Sequence, residues 1–177
     1  MTTRKKGITI VYTGNGKGKT TAAMGLALRA SAYGFKVTML QFIKSPNESG
    51  EMKLYQKKKI GFVIKSLGLG FVGMLNDNLT RRSHRQAARN ALKEVKRQMK
   101  RCDVLILDEI NNALHGKLIT LSSVVEIIKN KPKLLTLVLT GRHAHSKIIK
   151  LADLVTEMKE IKHPYQKGVL AQKGIDY

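Results

Sequence analysis

The sequence predicts an α/β protein with a mostly parallel sheet and helices on both faces. Three observations predict it: short apolar runs rich in β-branched residues, helical patterns between the runs, and glycine or polar residues directly after several runs. The runs lie at residues 7–13, 37–43, 62–66, 104–107, 134–140 and 154–158. Continuous apolar runs of this length are typical of strands buried on both faces. Ligands of such sheets bind at the carboxyl ends of the strands, so a functional site is expected there.

The segments between these runs predict helices. Apolar residues recur at helical spacing over residues 19–33, about 81–101, 122–130 and about 144–152, while 53–59 is a basic helix or loop. Gly34 is placed to stop the first helix, and Thr80 can cap the long one. The alternation predicts βαβ units. We expect one domain over residues 1–177, with a short basic arm at 1–6 and a C-terminal tail at 160–177.

The composition narrows the class of protein. The chain has 177 residues, and apolar residues make up 42% of them, which favours a globular domain. No apolar stretch approaches the ~20 residues of a membrane span, and the N-terminus lacks the apolar core of a secretion signal. The single cysteine, Cys102, lies beside an apolar strand and is expected in the core. These features predict a cytoplasmic protein without a membrane segment.

The charge is the most unusual property of the composition. Lys and Arg total 33 against 12 Asp and Glu, a formal net charge of +21. Such a charge favours an anionic partner, for which nucleic acid and phosphate-bearing ligands such as ATP are the candidates. A lysine-rich host proteome would explain it equally well.

The strongest motif lies at residues 13–21, Thr-Gly-Asn-Gly-Lys-Gly-Lys-Thr-Thr, between a predicted strand and a predicted helix. In that context its glycines let backbone N–H groups approach phosphate oxygens, at the positive end of the helix dipole. Lys19 supplies a charge, and Thr20 can offer a hydroxyl to Mg²⁺. The usual pattern has glycine where this chain has Thr13, with Gly14 one step later. The motif predicts an ATP triphosphate site whose candidate binding residues are Gly14, Asn15, Gly16, Lys17, Gly18, Lys19, Thr20 and Thr21.

Two other strand ends carry candidate site residues. Asp108 and Glu109 follow four apolar residues, and a carboxylate there can hold Mg²⁺ directly or through water. The residue types do not decide which of the two contacts the metal. Arg142 follows the strand at 134–140 and could bind phosphate, or form only a surface salt bridge. No Ser-His-Asp order or paired-carboxylate site is evident, so the chemistry should need positioning and charge neutralisation rather than a protein nucleophile.

These motifs together resemble one family. The loop at 13–21, the strand end at 41–44, Leu107-Asp108-Glu109, Thr140-Gly141-Arg142-His143-Ala144 and the segment from 152 to 175 are similar to ATP:corrinoid adenosyltransferases of the CobA/BtuR type. The resemblance implies a RecA-like P-loop fold, a homodimer, and transfer of the 5′-deoxyadenosyl group of ATP to Co(I) of a reduced corrinoid, with release of triphosphate. It also implies an electron-donor protein such as a reduced flavoprotein.

The resemblance assigns roles to individual residues. It implies that Thr20 and Glu109 contact Mg²⁺ and that Lys19, Phe71 and Arg142 act in catalysis. Relatives often carry Gly-Phe-x-Trp before the long helix, where the aromatics help to displace the lower ligand of cobalt. Here the segment reads Gly-Phe-Val-Gly at 70–73, so Phe71 matches and Gly73 stands at the tryptophan position. Phe71 could also be an ordinary core residue.

Two other functions remain open at this point. The helix at 81–101 carries nine Lys or Arg and one acid, which would suit a RecA-like ATPase stimulated by nucleic acid. That reading leaves the C-terminal motifs unexplained, so nucleic acid is an unlikely partner. The other alternative is a non-catalytic carrier or sensor of ATP or corrinoid.

Overall fold

The fold is built on one parallel sheet. The computed structural model describes residues 6–45, 50–57, 60–70, 72–73 and 77–175. Six strands pair in the order β3-β2-β4-β5-β1-β6, and every pairing is parallel. Their bounds are β1 Thr9–Thr13, β2 Val37–Gln41, β3 Val63–Ser66, β4 Val104–Asp108, β5 Thr136–Thr140 and β6 Leu154–Glu157.

Helices connect these strands. They are α1 Lys19–Ala32, α2 Gly50–Gln56, α3 Arg81–Gln98, α4 Ile110–His115, α5 Leu121–Lys129 and α6 Ser146–Leu151, with a 3₁₀ turn at Pro164–Lys167. Thr80 caps α3 by accepting a hydrogen bond from the Ser83 amide at 3.2 Å. Gly34, with φ of 79°, follows α1 as its stop. None of the helices in the described residues is long and apolar enough to cross a membrane.

Alternate residues of each central strand feed two separate cores. In β4, Leu105 and Leu107 join the core under α3, α4, α5 and α6, whereas Val104 and Ile106 join the core under α1 and α2. Side chains of a strand point alternately to the two faces, and helices cover both faces, so every residue of β4 is buried. The predicted α/β class and the placing of helices on both faces are therefore confirmed, and the sheet is consistent with a P-loop NTPase-like domain.

Most predicted elements appear with shifted ends. The first strand begins at Thr9 and the second ends at Gln41. The helix α2, Gly50–Gln56, begins three residues before the basic segment predicted at 53–59 and overlaps its first part. The helix α4 was not predicted, because two of its six residues, Asn111 and Asn112, are of a type that favours turns over helices. Apart from Lys6, the basic arm at 1–6 lies outside the described residues.

The strand β6 also supports the loop that follows β1. β6 pairs with β1, and just beyond it the Met158 amide donates to Thr13 O at 2.8 Å while the Gly16 amide donates to Met158 O at 2.7 Å. Gly14 has φ of 94°, and a Cβ there would collide with the backbone of Met158. Gly14 therefore meets two constraints that only glycine satisfies.

We expect Gly14→Ala to destabilise the protein by about 2 kcal/mol or more, because it adds backbone strain and a steric clash. Gly25→Ala, inside α1 with open space around the added methyl group, should instead stabilise it by about 0.5–1 kcal/mol. Urea unfolding of both variants measures the difference, and equal stabilities would contradict the packing described for Gly14.

Candidate active site

Polar side chains end all six strands at one edge of the sheet, and β6 ends there at the exposed Glu157. The last residues of β1, β2, β3, β4 and β5 are Thr13, Gln41, Ser66, Asp108 and Thr140. Elsewhere these strands are mostly apolar, so the polar residues form a row at the carboxyl edge. The loop at 14–18 lies at the same edge, since it follows β1 and precedes α1. This is the edge at which open α/β sheets bind ligands.

Asp108 lies at the centre of this row and is fully buried. Its Oδ1 accepts hydrogen bonds from the hydroxyls of Thr20, at 2.9 Å, and Thr140, at 2.7 Å. Its Oδ2 accepts from Gln41 Nε2 at 3.3 Å and lies 3.8 Å from Lys44 Nζ. A buried carboxylate is costly unless it is hydrogen-bonded, so these contacts account for its place in the core. Through Thr20, Asp108 ties β4 to the first turn of α1.

The glycine-rich loop is closed around its own lysine. Lys19 Nζ donates to Gly14 O at 2.8 Å and also to Gly16 O. Burial lowers the pKa of Lys19, and the positive charge of Arg142 lowers it further, whereas Glu109 and Glu160 oppose the shift. The effect of Arg142 shows that its charge acts on the loop. An anion bound here would relieve the repulsion between these two cations.

Glu109 has a strained backbone and one carboxylate oxygen without a partner among the described residues. Its backbone adopts the left-handed conformation at φ of 62°, and its amide donates to Thr140 Oγ1 at 2.9 Å. Its Oε2 is buried, and no group in the described part of the chain donates a hydrogen bond to it. Burial, together with the negative charges of Asp108 and Glu51, raises the pKa of Glu109 to about 7, although Lys44 and Lys19 oppose the shift. A buried, unpartnered oxygen beside Thr20 and Asp108 suits a cation or a hydrogen-bond donor from a ligand.

A cleft of about 890 Å³ opens over this edge. Four cationic side chains, two carboxylates and two segments of the C-terminal tail line it. The charged residues are Lys17, Lys19, Lys44, Arg142, Glu51 and Glu109, and the tail contributes His163, Gly174 and Ile175. Lys17 Nζ donates to Ile175 O at 2.8 Å, which ties the tail to the glycine-rich loop. The excess of positive charge suits a polyphosphate.

Asn112 holds the strand end that carries Arg142. Its Oδ1 accepts a hydrogen bond from the Arg142 amide at 2.7 Å. Gly141, with φ of 128°, approaches that same side chain so closely that a Cβ would collide with it. The contact joins α4 to the end of β5 and fixes where Arg142 leaves the sheet.

Most predicted site residues meet at this cleft. Gly16 to Thr21 line it in an unbroken run, together with Glu109 and Arg142. Gly14 is not part of this lining, but its carbonyl oxygen accepts a hydrogen bond from Lys19. Asn15 is exposed. Phe71 lies outside the described residues. Thr20 bonds to Asp108, which places Asp108 as well as Glu109 beside the expected metal position.

Several residues that the sequence did not predict as part of the site contact the predicted ones or line the same cleft. Gln41 and Lys44 contact Asp108, Asn112 holds Arg142, and the tail lines the cleft. One signal was available, since each apolar strand ends in a polar residue. The partners of those residues depend on strand order, which the sequence does not display.

The fold and the cleft define a nucleotide-binding protein of the P-loop class. The family described as ATP:corrinoid adenosyltransferase BtuR/CobO/CobP matches residues 5–177. The chain is 38% identical to a corrinoid adenosyltransferase of Escherichia coli (strain K12), over 98% of this chain and 87% of the relative. It is 40% identical to one of a Sinorhizobium species, over 99% and 82% of the two chains. It is 35% identical to the corrinoid adenosyltransferase CobA of Salmonella typhimurium (strain LT2), over 98% and 87%. The chain belongs to the ATP:corrinoid adenosyltransferase family.

The raised pKa of Glu109 predicts a pH dependence of stability. A carboxyl group with a higher pKa in the folded state binds its proton more tightly there, so the free energy of unfolding falls as pH rises from 4.5 through about 7. We expect the ligand-free protein to lose roughly 3 kcal/mol over this window relative to Glu109→Gln, because one pKa unit equals about 1.4 kcal/mol.

Denaturant unfolding at a series of pH values measures this loss. Glu126→Gln, which removes an exposed carboxylate on α5, controls for the change of charge alone. A constant difference between the natural chain and Glu109→Gln from below 4.5 to above 7 would contradict the raised pKa.

Proposed function

We propose that this protein transfers the 5′-deoxyadenosyl group of ATP to Co(I) of a reduced corrinoid and releases triphosphate. The observation that carries the proposal is the family match over residues 5–177. The electron pair of Co(I) forms the bond to C5′, and the C5′–O bond breaks with its electrons leaving on triphosphate. The nucleophile belongs to the substrate, which agrees with the lack of an evident protein nucleophile in the sequence.

The protein's task in this reaction is to stabilise the leaving group. Backbone N–H groups of the loop at 14–18 and the N-terminus of α1 would bind the triphosphate. Lys19 and Arg142 would add positive charge where negative charge grows as the C5′–O bond breaks. The position of both side chains in the lining of one cleft, where the charge of Arg142 lowers the pKa of Lys19, supports these roles.

A magnesium ion fits the same edge. Thr20 and Glu109 would hold it, with Asp108 orienting the Thr20 hydroxyl at 2.9 Å. The unpartnered Oε2 of Glu109 supports the assignment, since it is a buried acceptor that nothing in the described residues satisfies. When bound, Mg²⁺ would supply further neutralisation of the triphosphate.

The family supports three further proposals. The protein acts as a homodimer, takes electrons from a reduced flavoprotein or similar donor, and works in the cytoplasm. Cys102 is a free thiol packed against the core, and burial raises its pKa to about 11. An unpaired cysteine of this kind is compatible with a reducing compartment.

The proposal is tested by incubating the protein with cob(I)alamin and MgATP. Formation of the cobalt–carbon bond is followed by its spectral change, and released triphosphate is quantified. Lys19→Ala should lower kcat/KM for ATP by about 10²–10³-fold, as expected for loss of one charge on the leaving group. Lys129→Ala, on the exposed end of α5, is the control.

ADP and phosphate with stimulation by nucleic acid would indicate an ATPase instead, and tight corrinoid binding without turnover would indicate a carrier.

Phe71 is proposed to act on the corrinoid substrate by helping to displace the lower ligand of cobalt. If so, Phe71→Ala should slow the reaction that starts from Co(II) roughly tenfold more than the reaction from pre-reduced Co(I), a difference of about 1.4 kcal/mol in barrier. Parallel rate measurements with the two cobalt states decide the matter. Equal losses would leave Phe71 as a packing residue.

A further inference from the structure

Gln41 joins two parts of the carboxyl edge, the end of β3 and the end of β4, through its side chain. It ends β2, the strand between β3 and β4, and the register sets it beside Ser66 on one side and Asp108 on the other. All three residues end their strands. The Gln41 side chain is fully buried, so its amide depends on protein partners.

Both the nitrogen and the oxygen of the Gln41 side-chain amide form hydrogen bonds. Nε2 donates to Asp108 Oδ2 at 3.3 Å, and Oε1 accepts from the Ser66 hydroxyl at 2.7 Å. An amide has donors only on nitrogen and acceptors only on oxygen, so this orientation is set by the carboxylate on one side. Gln41 therefore bridges β3 to β4 through side chains as well as through the sheet.

On the β3 side, the bridge leads into the segment that follows Ser66. The Leu67 amide donates to Gln41 O at 2.9 Å, and the Gly70 amide donates to Ile43 O at 2.8 Å. Gly68 packs so closely on Ile43 O that a Cβ there would collide with it. Residues 66–70 are thus fixed to the end of β2 on their way toward α3.

On the β4 side, the bridge leads to the nucleotide loop. The Thr20 hydroxyl has one proton, which it donates to Asp108, and its lone pairs remain for a ligand. Whatever holds Asp108 in place therefore also sets the direction of those lone pairs. Gln41 is one of the groups that hold it.

We propose that Gln41 is a positioning residue that couples nucleotide binding at α1 to the order of residues 66–70. The inference rests on the proposed function only for the identity of the nucleotide, ATP. Coupling of this kind is reciprocal, so ordering of 66–70 also favours nucleotide binding. Three hydrogen bonds, which run from Thr20 through the buried Asp108 and Gln41 to Ser66, supply the physical link.

Hydrogen exchange of the amides in 66–70, measured with and without MgATP and without corrinoid, tests the coupling. In the natural chain, MgATP should slow exchange at Leu67 and Gly70. Gln41→Met keeps the volume but loses both hydrogen bonds, and MgATP binding measured by calorimetry should weaken about tenfold, the loss of one hydrogen bond to a charged group. In Gln41→Met, saturating MgATP should not slow hydrogen exchange of the amides in 66–70.

Ser66→Ala removes the hydrogen bond between Ser66 and Gln41 but leaves the one between Gln41 and Asp108. It tests the coupling even if Gln41→Met does not fold. It keeps the contact between Gln41 and Asp108, so MgATP affinity should stay within about twofold while the slowing at 66–70 is lost. Gln98→Met is the matched control, because Gln98 is a buried glutamine on α3 bonded to Glu94 rather than to the row. It should behave as the natural chain.

The inference is overturned if MgATP does not change exchange at 66–70 in the natural chain, or if Ser66→Ala and any folded Gln41→Met respond as the natural chain does. Its failure is distinct from failure of the proposed function. A protein with the expected exchange pattern that forms no cobalt–carbon bond would reject the transferase proposal alone. A protein that forms the bond but shows no exchange response would reject the coupling alone.

Discussion

The burial of one carboxylate, that of Asp108, is the constraint around which the carboxyl edge is arranged. An ionisable group with no exposed surface needs donors, and here they come from α1, β2 and β5. Those donors are side chains that end strands or begin the first helix, so satisfying Asp108 also brings the phosphate loop, the acidic strand and the end of β5 together. The polar residues at this edge therefore have a structural role, because their hydrogen bonds offset the desolvation cost of Asp108.

Charge is divided between the cleft and this buried row. The cleft carries Lys17, Lys19, Lys44 and Arg142 on its surface, where a triphosphate can reach them. Glu109 lies between, with a raised pKa and an unpartnered oxygen, as expected for a group whose partner comes with a ligand. A chain whose substrate brings its own nucleophile needs this kind of site, with positioned positive charge rather than a reactive side chain.

The C-terminal part of the chain supports the nucleotide loop from outside the loop itself. Met158 bonds to the backbone of Thr13 and Gly16, and Ile175 accepts a hydrogen bond from Lys17. Gly14 and Gly16 are consequently needed for close packing against the backbone of residues 158–159, in addition to any role toward phosphate. This explains in physical terms why the resemblance to the family continues through the tail, far from the loop in sequence.

The sequence by itself determined the α/β class, six strands, most of the helices and the candidates Lys19, Thr20, Glu109 and Arg142, which the fold brings to one cleft. These features can be predicted from local patterns, because buried strands, helix caps and the glycine-rich loop are each recognised from residues close together in the sequence. The short helix α4, the bonds of Gln41 and the contact between Thr20 and Asp108 were decided only by the tertiary structure. They depend on strand order and register, which bring residues 88 positions apart within 2.9 Å, and no local pattern encodes that proximity.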